Sequence, residues 1–448
     1  LQIDPSIFKA YDIRGTVPDQ LNGEAAYCIG HVLACFLKPK MIAVGRDMRL
    51  SSKELFEQLT RGVNDAGVDV IDLGLISTDG LYFAVGKFGC DAGVMITASH
   101  NPKDYNGFKI CRKNAEPLSG QNGLQQILKI IENSDELAKS PSRGMTVRRD
   151  ISTDYAAHCL SFIDAGAVKP YRIVIDAGNG MAGSTLPPVL EQLPIDAVRL
   201  FFEPDGSFPN HPASPIEVEN LRDLQKKIKE AAADFGAAFD GDADRMFLVD
   251  KFGRQLGGDI VTALVSKSLL SKHPSETILY NLICSRAVPE LITRLGGKPV
   301  RTRVGHAFIK PLMKRHNAIF GGEHSGHFYF RDNWYADSGL IAFLVCLELI
   351  SRENRPLHEL VAEIDPYFRS GEINSRVASI PDKLEAVAAA FADGRQDTED
   401  GLTVQYDNFW FNLRPSNTEP LLRLNIEADN EELLEETKQK LLDIIRAK

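Results

Sequence analysis

The feature that most constrains this chain is a strand–helix alternation that begins near the N-terminus and then restarts twice. Residues 22–37 (NGEAAYCIGHVLACFL) place apolar side chains at 25, 26, 29, 32, 33 and 36, which predicts one helical face with Asn22 as its N-cap. MIAVGRD at 41–47 predicts a strand, 52–66 a helix, and VDVIDLGLI and AGVMITA (92–98) two further strands. Nearly continuous apolar runs of this kind suit a sheet covered on both faces. The theme returns in YRIVID (171–176), AVRLFFE (197–203) and FGAAFD (235–240), and again in TILYNLIC (277–284), KPVRTRV (298–304) and AIFGGE (318–323). Near residue 366 the style changes. EINSRV, a helix at 382–393, the strands TVQYDN, FWFNLR and LLRLNIEA, and a last helix at 430–446 predict a small α+β unit. The expected class is therefore α/β, with three related α/β domains and a C-terminal α+β domain.

A polar stretch with Pro and Gly at 134–150 marks the first boundary, and the expected division is 1–148, 149–253, 254–366 and 367–448. Units of ~80–150 residues are ordinary domains. With 51 Lys+Arg against 61 Asp+Glu the net charge is −10. That balance lacks the positive surplus needed to wrap nucleic acid or coat an anionic membrane. The best apolar window, Leu340 to Cys346, falls far short of the ~18 residues of a membrane span. The opening residues LQIDP show no basic stretch followed by an apolar one, so no signal peptide is expected. Seven scattered cysteines without a Cys-x-x-Cys pair predict a reducing compartment, the cytoplasm, and neither a disulfide framework nor a zinc site.

Four polar stretches sit where strands end, the usual place for reactive groups on a rigid scaffold. Thr97-Ala98-Ser99-His100-Asn101-Pro102 offers a serine beside a histidine, a nucleophile or phosphoryl carrier if it is more than a turn. Asn106-Gly107 predicts a turn after it, with Lys109 opening the next strand and able to reach an anion. Asp240-Gly241-Asp242-Ala243-Asp244-Arg245 puts three carboxylates at i, i+2 and i+4, on one side of an extended segment. Their mutual repulsion is relieved by a hard divalent cation such as Mg²⁺ or Ca²⁺, and Arg245 and Lys251 stand where an EF-hand loop needs Gly and Glu. Gly322-Glu323-His324-Ser325-Gly326-His327 has the wrong spacing for zinc. It suits sugar hydroxyls held by Glu323 and Ser325, with His327 free to move a proton, or else a plain polar hairpin. Arg414-Pro415-Ser416-Asn417-Thr418-Glu419-Pro420 can cradle an anion or simply decorate a turn. A fifth stretch, Gly178-Asn179-Gly180-Met181-Ala182-Gly183 with Glu203 after the next strand, matches a dinucleotide fingerprint. It begins mid-chain and leaves the other four unexplained, so a strand-to-helix turn is the preferred reading.

Together with Lys9-Ala10-Tyr11-Asp12-Ile13-Arg14-Gly15, the motifs TASHNP, DGDADR, GEHSGH and RPSNTEP occur in the order and spacing of one family. From end to end the chain resembles the α-D-phosphohexomutases, most closely the phosphomannomutase/phosphoglucomutase branch. The resemblance implies mixed sheets in four domains around a central cleft, and a hexose phosphate mutase acting through a 1,6-bisphosphate. It implies Ser99 as the phosphoserine, with Asp240, Asp242 and Asp244 binding Mg²⁺ together with a phosphoserine oxygen. Arg245, His100 and Lys109 would flank the transferring group, with Tyr11 and Arg14 on the same wall and His327 as general acid/base. Glu323 and Ser325 would hold sugar hydroxyls, Arg414, Ser416, Asn417 and Thr418 the non-reacting phosphate, and His306 a further ligand contact. A monomer or weak dimer is expected on the same ground. Two departures bear on the sugar. Ile283 stands where many relatives carry Lys, with Arg303 a candidate substitute, and His324 replaces the Gln typical of phosphoglucosamine mutases, which disfavours an amino sugar.

Overall fold

A computed structural model describes residues 3–415 and 421–447. The first sheet orders its strands Ile13–Thr16, Tyr105–Arg112, Ala92–Ile96, Met41–Arg46, Asp69–Leu75 and Thr146–Arg148, with Glu116–Pro117 added beside Tyr105–Arg112. The second runs Gln255–Leu256, Met246–Asp250, Phe235–Phe239, Arg172–Asp176, Asp196–Leu200. The third runs Lys298–Thr302, Thr277–Asn281, Phe320–Gly322, Phe328–Phe330, Ala336–Asp337. Each has a parallel core, and each ends that core with an antiparallel hairpin: 92–96 with 105–112, 235–239 with 246–250, 320–322 with 328–330. The fourth sheet is antiparallel and pairs Phe409–Pro415 with Leu422–Ala428 at its centre. The expected fold class is what the structure has. The first three polar stretches lie at the connections of the first three hairpins, and Arg414 and Pro415 end the strand Phe409–Pro415 of the fourth sheet.

Local chemistry explains the elements that set the geometry. The helix Gly23–Leu37 is capped by Asn22, whose side chain accepts from Ala25 N at 3.0 Å. The helix Ser52–Asp65 covers the same face of the first sheet and buries Leu55, Leu59 and Val63. Two sequence expectations change. Asn106 and Gly107 form no turn and lie inside the strand Tyr105–Arg112, because the Asn106 amide is anchored to Ser51 and Ser52 at 2.9 and 3.0 Å and Gly107 pairs in register with Arg14. The polar stretch 134–150 contains the strand Thr146–Arg148, which pairs with Asp69–Leu75 as an exposed sheet edge.

One apolar core runs without a break from Ala43 through Phe239 and Phe320 to Ile364, so the first three units are welded together. The fourth unit has its own core around Phe411, Leu413, Leu424 and Leu441. A buried polar link crosses the first weld. Asp79, at the start of the helix Thr78–Phe88, accepts from Ser338 Oγ at 2.6 Å and from Gly80 N at 2.9 Å, and Ser338 caps the helix Gly339–Glu353. Burial pushes the Asp79 carboxyl from 3.8 up to about 6, so the folded protein holds this proton more tightly than the unfolded chain. The stability this group contributes is therefore full below pH 4 and falls as pH rises through that window. Wild type should lose about 3 kcal/mol relative to Asp79→Asn between about pH 3 and pH 7, read as the change in their difference in unfolding free energy.

Candidate active site

Three of the hairpin connections meet over one buried cluster of charge. Ser99 follows the strand Ala92–Ile96 with a left-handed backbone, φ +50°. Its Oγ donates to Asp240 Oδ2 at 2.7 Å, accepts from Arg245 Nη2 at 2.7 Å, and lies 3.3 Å from His100 Nδ1. A Cβ on Gly241 would stand 2.5 Å from the Ser99 carbonyl, so glycine there is what lets the two loops touch. Thr78 braces the acidic loop, its N–H donating to the Asp242 carbonyl at 3.0 Å and its hydroxyl to Asp242 Oδ2 at 2.6 Å. On the other side Arg245 bridges to His327 as an isolated pair, and Met246 N donates to Gly326 O at 3.3 Å, which joins the acidic hairpin to the Glu323–His327 hairpin.

Asp240, Asp242 and Asp244 are fully buried, with carboxylate oxygens within 4.8 Å of one another. Lys109 reaches Asp242 Oδ2 at 2.7 Å and also pairs with Asp244, while Arg245 Nε lies 3.0 Å from Asp240 Oδ2. Burial alone would lower the Lys109 pKa, but Asp242, Asp244 and Asp240 hold it above the ordinary value. Burial likewise works to raise Asp242, yet Lys109 keeps it ionised and below its usual range. Burial and that fixed charge together push Asp240 up to about 6 and raise Asp244 well above its usual value. Two cations do not neutralise three carboxylates. Asp242 Oδ1 and Asp244 Oδ1 are moreover enclosed without a hydrogen-bond partner, a costly state for a charged oxygen. The donor set, all hard oxygens, fits a divalent cation of the Mg²⁺ class.

The histidines divide by environment. Arg245 donates to His100 Nδ1, and its charge, then burial and Arg14, hold the His100 pKa well below the usual range, so the ring is neutral. His327 Nδ1 lies 3.0 Å from Ser325 Oγ and its Nε2 3.7 Å from Asp244 Oδ1. Arg14 Nη1 donates to Asn101 Oδ1 at 2.5 Å and Nη2 to Asp12. Burial, then Asp400 and Glu323, raise the pKa of Tyr11, whose hydroxyl lies against Gly305, 3.1 Å from where a Cβ on that glycine would stand. Glu323 is more enclosed than a sugar-facing acid need be, with Oε1 accepting from Gly305 N at 2.8 Å and Oε2 from Tyr329 OH at 2.7 Å. Arg414 is buried beside Glu372 at 3.3 Å. Ser416, Asn417 and Thr418 lie outside the described residues, and His306 opens the helix His306–His316. Ile283 is buried, and Arg303 sits over the Phe308 ring at 4.6 Å.

The glycine stretch 178–183 turns the chain and props the acidic loop. Met181 N donates to Gly241 O at 2.9 Å, and a Cβ on Gly180 would meet that same oxygen at 2.7 Å, which leaves a pyrophosphate no approach. The sequence reading missed Thr78 and the enclosed pair Lys310–Asp337 at 2.8 Å, whose carboxylate groups with His327 and Asp244. A lone Ser-Thr-Asp helix start reads only as a cap, and nothing local marks a lysine that pairs 27 positions away.

Family models described as phosphoglucomutase/phosphomannomutase match in chain order: alpha/beta/alpha domain I over residues 5–138, II over 153–253, III over 257–367 and the C-terminal domain over 372–444. The chain belongs to the phosphoglucomutase/phosphomannomutase family. It is 40% identical over 431 residues to the phosphomannomutase of Escherichia coli, covering 94% of each chain. It is 41% identical over 443 residues to a Xanthomonas campestris pv. campestris protein named "Phosphohexose mutases", covering 98% and 99%. The crystal structure of a phosphoglucomutase/phosphomannomutase family protein from Burkholderia thailandensis superposes with a TM-score of 0.89 at 32% identity, covering 100% of this chain and 99% of that one. In the terms of this family, the serine hairpin is in domain I, the acidic hairpin in II and the Glu323–His327 hairpin in III. No helix among the described residues is long and apolar enough to cross a membrane, and all seven cysteines are free thiols.

Mn²⁺ titrated into the protein and followed by calorimetry or electron spin resonance should bind at one site. Asp242→Asn should weaken that binding at least about tenfold and Thr78→Val by about tenfold, the usual cost of losing a ligand or its orienting partner.

Proposed function

We propose that this protein interconverts hexose 1-phosphate and hexose 6-phosphate, with mannose phosphates as substrate and glucose phosphates as a second pair, through a phosphoserine and a hexose 1,6-bisphosphate. The observation that carries this reading is the 2.7 Å contact of Ser99 Oγ with the buried acidic cluster, with Arg245 bonded to the same oxygen and the Glu323–His327 hairpin paired to Arg245. Phosphoryl transfer asks a protein for positioning and charge neutralisation more than for covalent activation. Ser99 carries the phosphoryl group. The P–Oγ bond breaks as a P–O bond forms to the free hydroxyl of the bound sugar monophosphate, and His327 takes that hydroxyl's proton. Arg245, already 2.7 Å from Oγ, bears the charge left on the serine oxygen, and neutral His100 sits beside it as a hydrogen-bonding partner. Asp240, Asp242 and Asp244 with an oxygen of the phosphoserine would hold Mg²⁺, which supplies charge neutralisation at the transferring group when bound.

Return of the second phosphate requires the bisphosphate to turn over, so the cleft needs a grip on the end that does not react. Arg414 provides it, with Ser416, Asn417 and Thr418 of the same connection. Glu323 and Ser325 hold the sugar hydroxyls, Lys109 and Arg14 stand with Arg245 and His100 at the transferring group, and Tyr11 and His306 complete the substrate contacts. Ile283 in place of a lysine removes a polar contact from the sugar side, and His324 stands where the Gln typical of phosphoglucosamine mutases would be, which disfavours an amino sugar. The free thiols agree with a cytoplasmic enzyme, and with a net charge of −10 the hold on an anionic substrate must come from the local cations of the site.

Mass spectrometry should find a fraction of the purified protein phosphorylated at Ser99. In a coupled assay with mannose 1-phosphate and a hexose 1,6-bisphosphate activator, Ser99→Ala should show no turnover above background, and near-wild-type rates would refute the reading. Arg414→Ala should raise KM more than about tenfold, the loss of one charge-assisted grip on phosphate.

A further inference from the structure

Arg49 belongs to none of the motifs above, yet it is buried more deeply than the cations that touch Ser99. Its side chain is 0% exposed, against 9% for Arg245 and 13% for Lys109. All four of its terminal hydrogen bonds go to main-chain carbonyls of the serine loop: Nη2 to Ser99 O at 2.9 Å and Asn101 O at 2.6 Å, Nη1 to Pro102 O at 2.7 Å and Tyr105 O at 2.9 Å. Asp47, equally enclosed, lies 3.2 Å from Nε and accepts from Arg49 N at 3.0 Å and Ser52 Oγ at 2.6 Å, which fixes the guanidinium from behind. Phe208 of domain II closes its face at 5.2 Å.

The loop it holds is under strain at the residue that matters. A serine at φ +50° sits in the left-handed region that residues with a Cβ avoid, and such a residue persists only where its surroundings over-determine it. The Ser99 carbonyl is fixed on one side by Arg49 and on the other by the close approach of Gly241. Relaxation of φ would swing that carbonyl off the guanidinium and swing Oγ away from Asp240. The requirement is for a planar fork, since two nitrogens must each serve two carbonyls in fixed directions. A lysine ammonium has three donors on one atom and cannot span them.

We propose that Arg49 is a positioning residue for phosphoryl transfer: by gathering the carbonyls of residues 99, 101, 102 and 105 onto one buried guanidinium, it holds Ser99 in its left-handed conformation and so aims Oγ at the acidic loop. The inference rests on the reading of Ser99 as the phosphoryl carrier. Arg49 touches neither sugar nor phosphate, so its loss should act on the transfer step and spare binding of the sugar phosphate.

The test uses full-length wild type, Arg49→Met and Arg49→Lys, each phosphorylated with glucose 1,6-bisphosphate and then mixed with mannose 1-phosphate in a single-turnover experiment. The lysine variant keeps the buried charge opposite Asp47 and guards against misfolding of the methionine variant. The rate of loss of the Ser99 phosphate should fall about 100-fold in Arg49→Met and at least about tenfold in Arg49→Lys, the scale of an ångström-sized misplacement. KM should stay within about threefold of wild type, because the groups that bind the sugar phosphate are untouched. A merely structural role would lower the amplitude, the fraction of molecules that react, and leave the rate of the reacting fraction unchanged. That result, or rates within about threefold of wild type in both variants, overturns the proposal. Absence of phosphate from Ser99 in wild type would instead overturn the reading of Ser99 itself.

Discussion

The rest of the site depends on one electrostatic imbalance, three buried carboxylates against two buried cations. Asp240, Asp242 and Asp244 could not be enclosed by apolar strands on both sides unless Lys109 and Arg245 came with them, and those come from different units of the chain. Lys109 stands on the strand Tyr105–Arg112, so the charge pairing that makes the acidic loop tolerable is also what docks domain I against domain II. Breaking one partner of such a pair leaves an uncompensated charge in a low-dielectric interior, a far larger penalty than a surface ion pair ever returns. The carboxylate oxygens left without a partner, on Asp242 and Asp244, are where a divalent cation fits. Fold and site are in this sense one structure.

Much of this was legible because the chemistry-bearing residues are contiguous and sit where strands end. FGAAF before and MFLV after the aspartates announce that the acidic run is enclosed, and enclosed acids need partners. The three sheets were equally visible in their apolar runs, since a parallel strand buried on both faces has no alternation to obscure it. The edge strand Thr146–Arg148 was not, because an exposed edge carries neither an apolar run nor a pattern, only polar residues around Val147. The turn expected at Asn106-Gly107 failed for a related reason. Asn-Gly is a strong turn signal in isolation, but tertiary hydrogen bonds to Ser51 and Ser52 outweigh it.

Arg49, Thr78 and Lys310 escaped notice on a different principle. Each acts through main-chain atoms or through a partner far away in sequence, and the sequence around each supplies an adequate local explanation. Arg49 reads as the loop after a strand, Thr78 as a helix start, Lys310 as a charge on an amphipathic helix. Their importance appears only when Ser99, Asp242 and Asp337 are seen to share their hydrogen bonds. Motifs thus mark the hairpin connections themselves, whereas the side chains that brace them are distributed and unmarked.

The seam between the third and fourth units is built differently from the others, and the difference has a consequence for how the cleft works. Domains I to III share a continuous apolar core, but the fourth keeps its own and meets the third through charge. Arg369 faces Glu427 at 3.0 Å, Asp365 at 2.6 Å and Asp259 at 3.4 Å, and the Arg286 backbone donates to Glu427 at 3.0 Å. Between these units the contacts are ion pairs and hydrogen bonds, which water can replace once it enters, whereas parting the continuous core of domains I to III would expose apolar surface at about 25 cal/mol per Å². Motion is therefore cheapest where Arg414 is carried, on the fourth unit, and most expensive between Ser99 and the aspartates. A catalyst that must keep one end of a sugar fixed in chemistry and release the other to turn has reason to place its rigidity and its freedom in that order. Asp259 lies at the junction of the two: it pairs with Arg369 of the seam, accepts from Ser285 N at 3.2 Å, and faces His324 of the sugar hairpin at 3.9 Å. One buried carboxylate thus stands between the fourth unit and the Glu323–His327 hairpin.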